Sequence, residues 1–245
     1  YIDLNIVENE TVENCLLTEY QESNTKIHLI HNGVSTTYFN ADSAVNDSVT
    51  SVELETATRG KFVISFMGRF SEEKCPESFV EIANRLQGDR DLHFVMAGHG
   101  ALYEKVAGLI RRYGIAHNIS LPGFMDAKTC LALSNVLVLP SQIDGRPNVV
   151  LESLSMGVPV IASAVGGLPQ IIENGRNGFL CQSGDIADFV NRIKEMVDDR
   201  TLYLNMKQNA RAYAISDLDI SVMQRKYLDT FQHLLSSNPA PAKPD

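Results

Sequence analysis

Two acidic residues flank the predicted start of a helix within the segment 141–163. Asp144 stands in a short polar loop, and Glu152 follows inside the helix beyond Pro147. Pro147 fits the first position of a helix, because its fixed φ is helical and no N–H is needed there. The helix around Glu152 is otherwise apolar, which an ordinary surface position does not explain. We therefore interpret both acids as ligand-binding residues.

The first turn of this helix offers backbone donors to an anion. The preceding residue, Arg146, is a poor N-cap, so the first N–H groups lack an obvious protein partner. A phosphate would satisfy these groups at the positive end of the helix dipole. Glu152 then lies about one turn further along the same face, where a carboxylate can accept hydrogen bonds from two ribose hydroxyls. The donors belong to Asn148, Val149 and Val150.

Two cations follow an earlier predicted strand. Arg69 stands at the end of that strand, and Lys74 stands at the start of the next helix. A forked guanidinium and a mobile ammonium near a helix start are suited to hold a diphosphate. A pair of solvated cations bound to Glu72 and Glu73 is an equally good interpretation from the spacing alone. Both interpretations remain open at this point.

Two glycine-containing stretches give weaker signals. The Gly98–Gly100 segment lacks the third glycine of a dinucleotide-binding fingerprint, because position 103 is Tyr. His99, between these glycines, is interpreted as an ordinary loop histidine. The pair Gly166 and Gly167 would let backbone approach a ligand closely, although a simple turn explains it nearly as well. Pro169, which follows this pair, is predicted to open another helix. The sequence contains no P-loop pattern.

Composition narrows the class of protein. The 245 residues carry a formal net charge of −9, which argues against nucleic acid or an anionic membrane as the main partner. The four cysteines are widely separated and form no C-x-x-C pair, so neither zinc nor a disulfide framework is expected, and no metal site is predicted. No apolar run is long enough to span a bilayer, and no signal peptide is recognisable. We expect a soluble protein of the reducing cytoplasm.

The middle of the chain alternates apolar runs with helical patterns. Continuous apolar strands separated by helices indicate a parallel sheet covered on both faces, which is a doubly wound, Rossmann-like α/β fold. Ligands bind such sheets beyond the carboxyl ends of the strands. Strands are predicted at 61–68, 92–98, 119–124, 136–140, 158–163 and 178–182, and helices from Pro76, around 102–110, and at 126–134, 185–198, 200–213 and 217–235.

The two ends of the chain depart from this alternation. Residues 1–25 read as a strand and one amphipathic helix with nothing before them to pack against, as expected for the remnant of a preceding domain. The domain of alternating strands and helices is predicted over 26–235. Within it, the polar stretch 40–60 is expected to be a mobile loop. The proline-rich residues 236–245 are expected to be a disordered tail.

Several ordered motifs together resemble a known family. "DGRPNVVLESLSMGVPVIASAVGGLPQII" (144–172) is similar to the E-G-x-P-x-x-x-x-E, G-x-P-V and G-G-x-P-E series of retaining glycosyltransferases of family 4, the glycosyl transferases group 1. "GRFSEEKC" (68–75) resembles their donor-phosphate loop, and "KIHLIHNGV" (26–34) resembles their interdomain linker. The resemblance runs from about 26 to 235 and implies the C-terminal half of a GT-B fold.

The resemblance also implies roles for individual residues. Arg69 and Lys74 would bind the donor diphosphate, Asp144 would contact the donor sugar, and Glu152 would hold the ribose. Phe124 and Met125 stand where the base is usually contacted. The expected substrate is a UDP-, GDP- or ADP-sugar, with no cofactor and no metal. An acceptor glycan, lipid or small molecule would be held by an N-terminal domain, which allows peripheral contact at the inner face of a membrane.

The resemblance further implies a retaining enzyme of glycan or cell-envelope polysaccharide biosynthesis, in which the leaving diphosphate helps to deprotonate the acceptor. The donor-binding part alone is expected to lack turnover. Three positions depart from the family pattern: Asp144 and Gln170 replace glutamates, and Cys75 replaces a glycine. A non-catalytic nucleotide-sugar-binding or partner-activating subunit is therefore the alternative, and an NAD-dependent enzyme is a third, poorly supported one.

Overall fold

The computed structural model describes residues 4–21, 23, 26–41, 49–89 and 91–237. Eight strands and nine helices are assigned in this part of the chain. They are β1 (Asn5–Val7), α1 (Glu10–Thr18), β2 (Ile27–Leu29), α2 (Val49–Thr58), β3 (Phe62–Met67), α3 (Pro76–Arg85), β4 (Leu92–Ala97), α4 (Tyr103–Tyr113), β5 (Ile119–Gly123), α5 (Ala127–Leu133), β6 (Val136–Leu139), α6 (Asn148–Ser155), β7 (Val160–Ser163), β8 (Gly178–Cys181), α7 (Ile186–Asp198), α8 (Arg200–Tyr213) and α9 (Ile220–Ser237).

Six strands form one sheet in the order β5-β4-β3-β6-β7-β8. Every neighbouring pair is parallel. The chain therefore builds outward from β3 to one edge and then returns to start β6 on its other side. The crevice at this reversal, beyond the carboxyl ends of β3 and β6, is where ligands bind in doubly wound sheets. The predicted fold class is confirmed.

The sheet is buried on both faces. All residues of β4, β6 and β7 are buried, as the continuous apolar runs predict. An aromatic cluster joins a helix to the sheet: the ring of Phe79 in α3 lies 5.7 Å from Phe66 and 5.9 Å from Phe94. Burial of such rings supplies a large part of the hydrophobic stabilisation of this layer. The strand ends, and the loops that follow them, are thus held on a rigid base.

The first strand and helix do not stand alone. β1 pairs in parallel with β2, and these two strands form a separate two-stranded sheet. α9 lies beside them, since the His28 ring and the Thr230 hydroxyl are 3.3 Å apart. The strand and helix expected near the N-terminus are therefore present, but β1 has a partner in residues that follow it. None of the described helices has the length and apolar composition needed to cross a membrane.

Three expectations about local structure are wrong. The polar stretch 40–60 is not a loop throughout, because 49–58 form α2, which is anchored by the buried Leu54; residues 42–48 lie outside the described residues. The last helix begins at 220 after a π-helical segment, Ala214–Leu218, and continues to 237, so the start of the predicted tail is helical. Pro169 opens only a single 3-10 turn, Leu168–Gln170. Residues 238–245 of the predicted tail lie outside the described residues.

Candidate functional site

A cavity of about 470 Å³ opens beyond the carboxyl ends of β3, β4, β5 and β6. Its size is ordinary for a small-molecule site. Every predicted site residue except Val150 lines it, so residues from four loops and α6 meet around one space. The lining residues are Met67, Gly68, Arg69, Lys74, Ala97, Gly98, His99, Phe124, Met125, Ala127, Leu139, Asp144, Pro147, Asn148, Val149 and Glu152.

The loops after β3 and β4 are packed directly on each other. A Cβ atom on Gly98 would lie 1.9 Å from the carbonyl oxygen of Gly68, so no larger residue fits there. The N–H of Phe70 donates to the carbonyl of His99 at 3.0 Å, which joins the two loops further. The Gly98–Gly100 segment is thus explained by contact between loops and gives no support to dinucleotide binding. His99 stacks on the ring of Tyr103 at 4.7 Å and lines the cavity, whereas the sequence interpretation favoured an ordinary loop histidine.

Lys74 pairs with Asp144 across the cavity wall. The Lys74 Nζ atom lies 2.7 Å from Asp144 Oδ2, and the buried Ser141 hydroxyl donates to the same oxygen at 3.1 Å. The N–H of Gln142 donates to the carbonyl of Glu73 at 2.9 Å, so the two loops that carry the pair are also tied by backbone. Asp144 is only 8% exposed. The interpretation of Lys74 as bound to neighbouring glutamates is therefore wrong, because its partner comes from the loop after β6.

Arg69 remains exposed at the mouth of the cavity. No ion pair among the described residues involves it, so its guanidinium is available to a ligand. Its glutamate neighbour Glu73 is held elsewhere, because it accepts a hydrogen bond from the Ser71 hydroxyl at 2.7 Å. That hydrogen bond, together with the nearby charges of Lys74 and Arg69, lowers the pKa of Glu73. The cavity therefore contains one cation that is free and one that is paired.

The N-terminus of α6 differs in detail from the prediction. Pro147 is the N-cap residue, with φ −68° and ψ 129°, and it is not the first helical residue. Within the described part of the chain, no side chain caps this helix. The N–H of Val150 donates to the Pro147 carbonyl at 3.0 Å, so the predicted availability of this donor is wrong. The N–H groups of Asn148 and Val149, which line the cavity, are left as the candidates for an anion.

Glu152 lies one turn further along α6 and faces the cavity. Burial raises the pKa of its carboxyl group, and the nearby charge of Asp126 raises it further. Asp126 itself caps α5 by accepting from the Thr129 N–H at 3.0 Å. No ion pair among the described residues includes this half-buried carboxylate, so its burial in the charged form is costly. Hydroxyl groups of a ligand would relieve this cost by donating hydrogen bonds to it.

Asn32, from the segment before α2, contacts the start of α6. Its side-chain nitrogen donates to the Arg146 carbonyl at 3.3 Å and to the side-chain oxygen of Asn148. Nothing in the sequence pairs these two asparagines, because they are far apart along the chain. The resemblance identified the Asn32–Gly33 stretch only as a linker.

An aromatic side chain and a glycine pair complete the surroundings. Phe124 is 92% exposed at the cavity and Met125 lies beside it, so both are available to a planar group. A Cβ on Gly166 would lie 1.6 Å from the Asp144 carbonyl oxygen, and the Gly167 N–H donates to Gly145 at 2.9 Å. This pair is therefore required to support the Asp144 loop and does not line the cavity. Among the described residues, no group of three His, Cys, Asp or Glu side chains is placed to hold a metal ion.

Comparison with solved structures supports the fold. The chain superimposes on a glycosyltransferase from Rickettsia africae with a TM-score of 0.85 at 20% identity, covering 96% of this chain and 64% of that one. Anabaena HepE in complex with UDP-glucose matches with a TM-score of 0.81 at 19% identity, covering 94% and 64%. At this identity the matches concern the fold alone, and they confirm the GT-B type that the motifs imply.

Sequence comparison identifies the family. The chain is 29% identical over 228 residues to the Escherichia coli UDP-Gal:alpha-D-GlcNAc-diphosphoundecaprenol alpha-1,3-galactosyltransferase, covering 91% of this chain and 58% of that protein. It is 26% identical over 150 residues to N-acetyl-alpha-D-glucosaminyl L-malate synthase from Bacillus anthracis, covering 61% and 39%. The chain thus spans about half the length of these relatives or less. The family model of the glycosyl transferases group 1 matches residues 53–213, and because this is most of the chain, the chain belongs to that family.

Proposed function

We propose that this chain is the donor-binding part of a retaining, metal-independent glycosyltransferase that takes a sugar from a nucleotide sugar. The observation that carries the proposal is the joint lining of one cavity by two cations, two acids and the uncapped start of α6. Each group matches one part of a nucleotide sugar. The names of the relatives agree in chemistry, because UDP-Gal appears in one and UDP-glucose is bound in another.

The proposed binding mode assigns one part of the nucleotide sugar to each group of the cavity lining. Arg69 and Lys74 bind the diphosphate from one side, and the free N–H groups of α6 bind it from the other. Glu152 accepts hydrogen bonds from the ribose hydroxyls, and Asp144 contacts the donor sugar. The base stacks on the exposed ring of Phe124, with Met125 at its edge.

The proposed chemistry depends on charge that develops on the leaving group. As the bond between sugar and diphosphate breaks, the terminal phosphate gains negative charge, which the cations Arg69 and Lys74 stabilise. An oxygen of this leaving phosphate lies on the face of the sugar from which the acceptor attacks. This oxygen takes up the proton of the acceptor hydroxyl. The new glycosidic bond therefore forms on the face that the nucleotide leaves, and configuration is retained.

The acceptor is proposed to bind to a part of the enzyme outside this chain. The relatives' names include both a lipid diphosphate and L-malate, so the acceptor class is not fixed by family membership. We expect the chain by itself to bind nucleotide and to transfer little or no sugar. Measurable transfer by this chain alone would contradict that part of the proposal.

The test is thermal unfolding of the chain in the presence of UDP, GDP, ADP or NAD. A diphosphate at about 100 times its Kd should add about 2.7 kcal/mol of stability and raise Tm by about 5–10 °C. The substitution Glu152→Gln should remove most of this shift, because an amide accepts fewer hydrogen bonds than a carboxylate. Glu104→Gln, on the exposed face of α4, is the matched control and should keep the full shift.

Two outcomes would overturn the proposed function. The first is the absence of a shift with every diphosphate, and the second is a shift with NAD alone.

A further inference from the structure

The side-chain amide of Asn32 makes its hydrogen bonds through the nitrogen, while its buried oxygen has no hydrogen-bond partner among the described residues. Its amide nitrogen carries two hydrogens, and two acceptors face it: the backbone carbonyl of Arg146 and the side-chain oxygen of Asn148. A backbone carbonyl can only accept a hydrogen bond, so the atom of Asn32 that faces it must be the nitrogen. The reverse orientation of the amide would set its oxygen against the carbonyl of Arg146.

This fixes the orientation of a second amide. Because Asn32 presents nitrogen, the atom of Asn148 that faces Asn32 must be its oxygen. The amide nitrogen of Asn148 is then the opposite end of the group. No hydrogen bond among the described residues engages that nitrogen, and Asn148 is an exposed residue of the cavity lining. Asn148 therefore offers a side-chain donor close to its own free backbone N–H.

We propose that Asn148 binds the phosphate of the ligand through its side-chain NH₂ group and that Asn32 is the positioning residue that turns this group toward the ligand. The inference rests on the proposed function, because it needs an anion at the start of α6. It adds a side-chain donor at the start of α6, where the sequence predicted only backbone donors. It also assigns a specific role in ligand binding to a residue of the linker.

The linker segment around Asn32 is held firmly enough for this role. The N–H of Val34 donates to the Leu218 carbonyl at 2.8 Å, and the Ile220 N–H donates back to Val34 at 2.9 Å. A Cβ on Gly33 would lie 2.9 Å from the Cα of Ile220, so the backbone is also in close contact there. Asn32 is consequently a fixed point next to α6, supported by residues that do not line the cavity.

The test is a double-mutant cycle on the nucleoside diphosphate that binds best among UDP, GDP and ADP. Asn32→Ala and Asn148→Ala should each weaken its binding by about 2- to 10-fold, the range for loss of one hydrogen bond. The double substitution should weaken it no more than Asn148→Ala does, because Asn32 acts only through Asn148. Affinity for the corresponding nucleoside, which has no phosphate, should stay the same in all variants.

Two further variants test whether a change in affinity has a cause other than the loss of the Asn32 donor. Asn205→Ala, on the exposed side of α8, is the matched control and should change neither affinity. Asn32→Asp keeps the shape of the side chain but cannot donate, so it should weaken diphosphate binding at least as much as Asn32→Ala does. It keeps the test possible if Asn32→Ala unfolds the chain.

The possible results separate the inference from the proposed function. If the wild-type chain binds a diphosphate and Asn32→Ala leaves its Kd unchanged, or if the two losses simply multiply in the double variant, the inference is wrong and the proposed function stands. A loss that is equal for the nucleoside and the diphosphate would indicate general damage to the site and would also refute the inference. If the wild-type chain binds no diphosphate, both the inference and the proposed function are wrong.

Discussion

Asp144 is a predicted sugar-binding acid whose carboxylate already has two partners within the protein. Its carboxylate is nearly buried and ends against Lys74 and Ser141. The pair neutralises one of the two cations that a diphosphate would use. The family pattern has a glutamate at this position, and the shorter aspartate keeps its charge beside Lys74. The sequence motif suggests a role for Asp144, but it does not show that Lys74, from another loop, forms an ion pair with it.

Removal of this charge should strengthen nucleotide binding. In Asp144→Asn the ammonium of Lys74 loses its counter-charge, so diphosphate affinity should rise by roughly 3- to 10-fold, as expected for one charge at short range in a partly screened site. Ser141→Ala is the matched control, because it removes a hydrogen bond from Asp144 and leaves the charge in place. Isothermal titration with the diphosphate measures both. Unchanged or weaker binding in Asp144→Asn would show that the pair does not limit the site.

At the scale of elements, the start of α3 carries a conformational cost. Cys75 has φ 48° and ψ 52°, which is the left-handed region, and it stands at the junction between the 3-10 turn of Lys74 and the helix. A non-glycine residue there is less stable by about 1–2 kcal/mol. The family pattern has glycine at this position. The unusual geometry therefore belongs to the loop 68–75 as a structural element, and Cys75 adopts it at a cost in stability.

Substitution at this junction should show the cost directly. Cys75→Gly should raise the free energy of unfolding by about 0.5–1 kcal/mol, because relief of left-handed strain exceeds the added entropy of glycine in the unfolded chain. Cys75→Val should lower it by about 1–2 kcal/mol, since a β-branched residue suits this conformation poorly. Urea unfolding at equilibrium measures both. Cys75→Ala keeps the strain and serves as the control. Equal stability of the glycine and valine variants would contradict this account.

Elements with strong local signals are the ones that sequence predicts. The strands β3, β4, β6, β7 and β8 are mostly buried and mostly apolar, and helices such as α5 begin at a capping residue, Asp126, so both leave clear patterns. The sequence did not predict α2, because most of its residues are polar and Leu54 is the one buried apolar anchor among its described side chains. The contacts Lys74–Asp144 and Asn32–Asn148 could not be predicted, because tertiary packing sets which side chains meet. The cavity lining was largely predictable, since parallel strands place their following loops at one edge.

At the scale of the whole molecule, one arginine joins three separate segments. The Arg211 guanidinium nitrogen Nη1, from α8, lies 3.0 Å from the carbonyls of Thr36 and Phe39 and 2.6 Å from that of Ser155. Thr36 is also held by Asp219, whose pKa is lowered to about 2 by hydrogen bonds from Ser221 and Thr36. The segment that follows the linker and the C-terminal end of α6 thus share one support, which stabilises the helix that lines the cavity.

The hydrogen bonds of Arg211 should contribute more to the free energy of unfolding than any single surface interaction does. Arg211→Leu keeps part of the apolar stem but leaves three half-buried carbonyls without a donor, so the free energy of unfolding should fall by about 2–4 kcal/mol. Arg225→Leu, at an exposed position of α9, is the matched control and should stay within about 0.5 kcal/mol of the wild type. Equilibrium unfolding in urea measures the difference. Because Arg211 lies behind the cavity and does not line it, diphosphate affinity below the unfolding transition should change less than stability does. A loss of less than 1 kcal/mol in Arg211→Leu would mean that water or neighbouring donors satisfy these carbonyls.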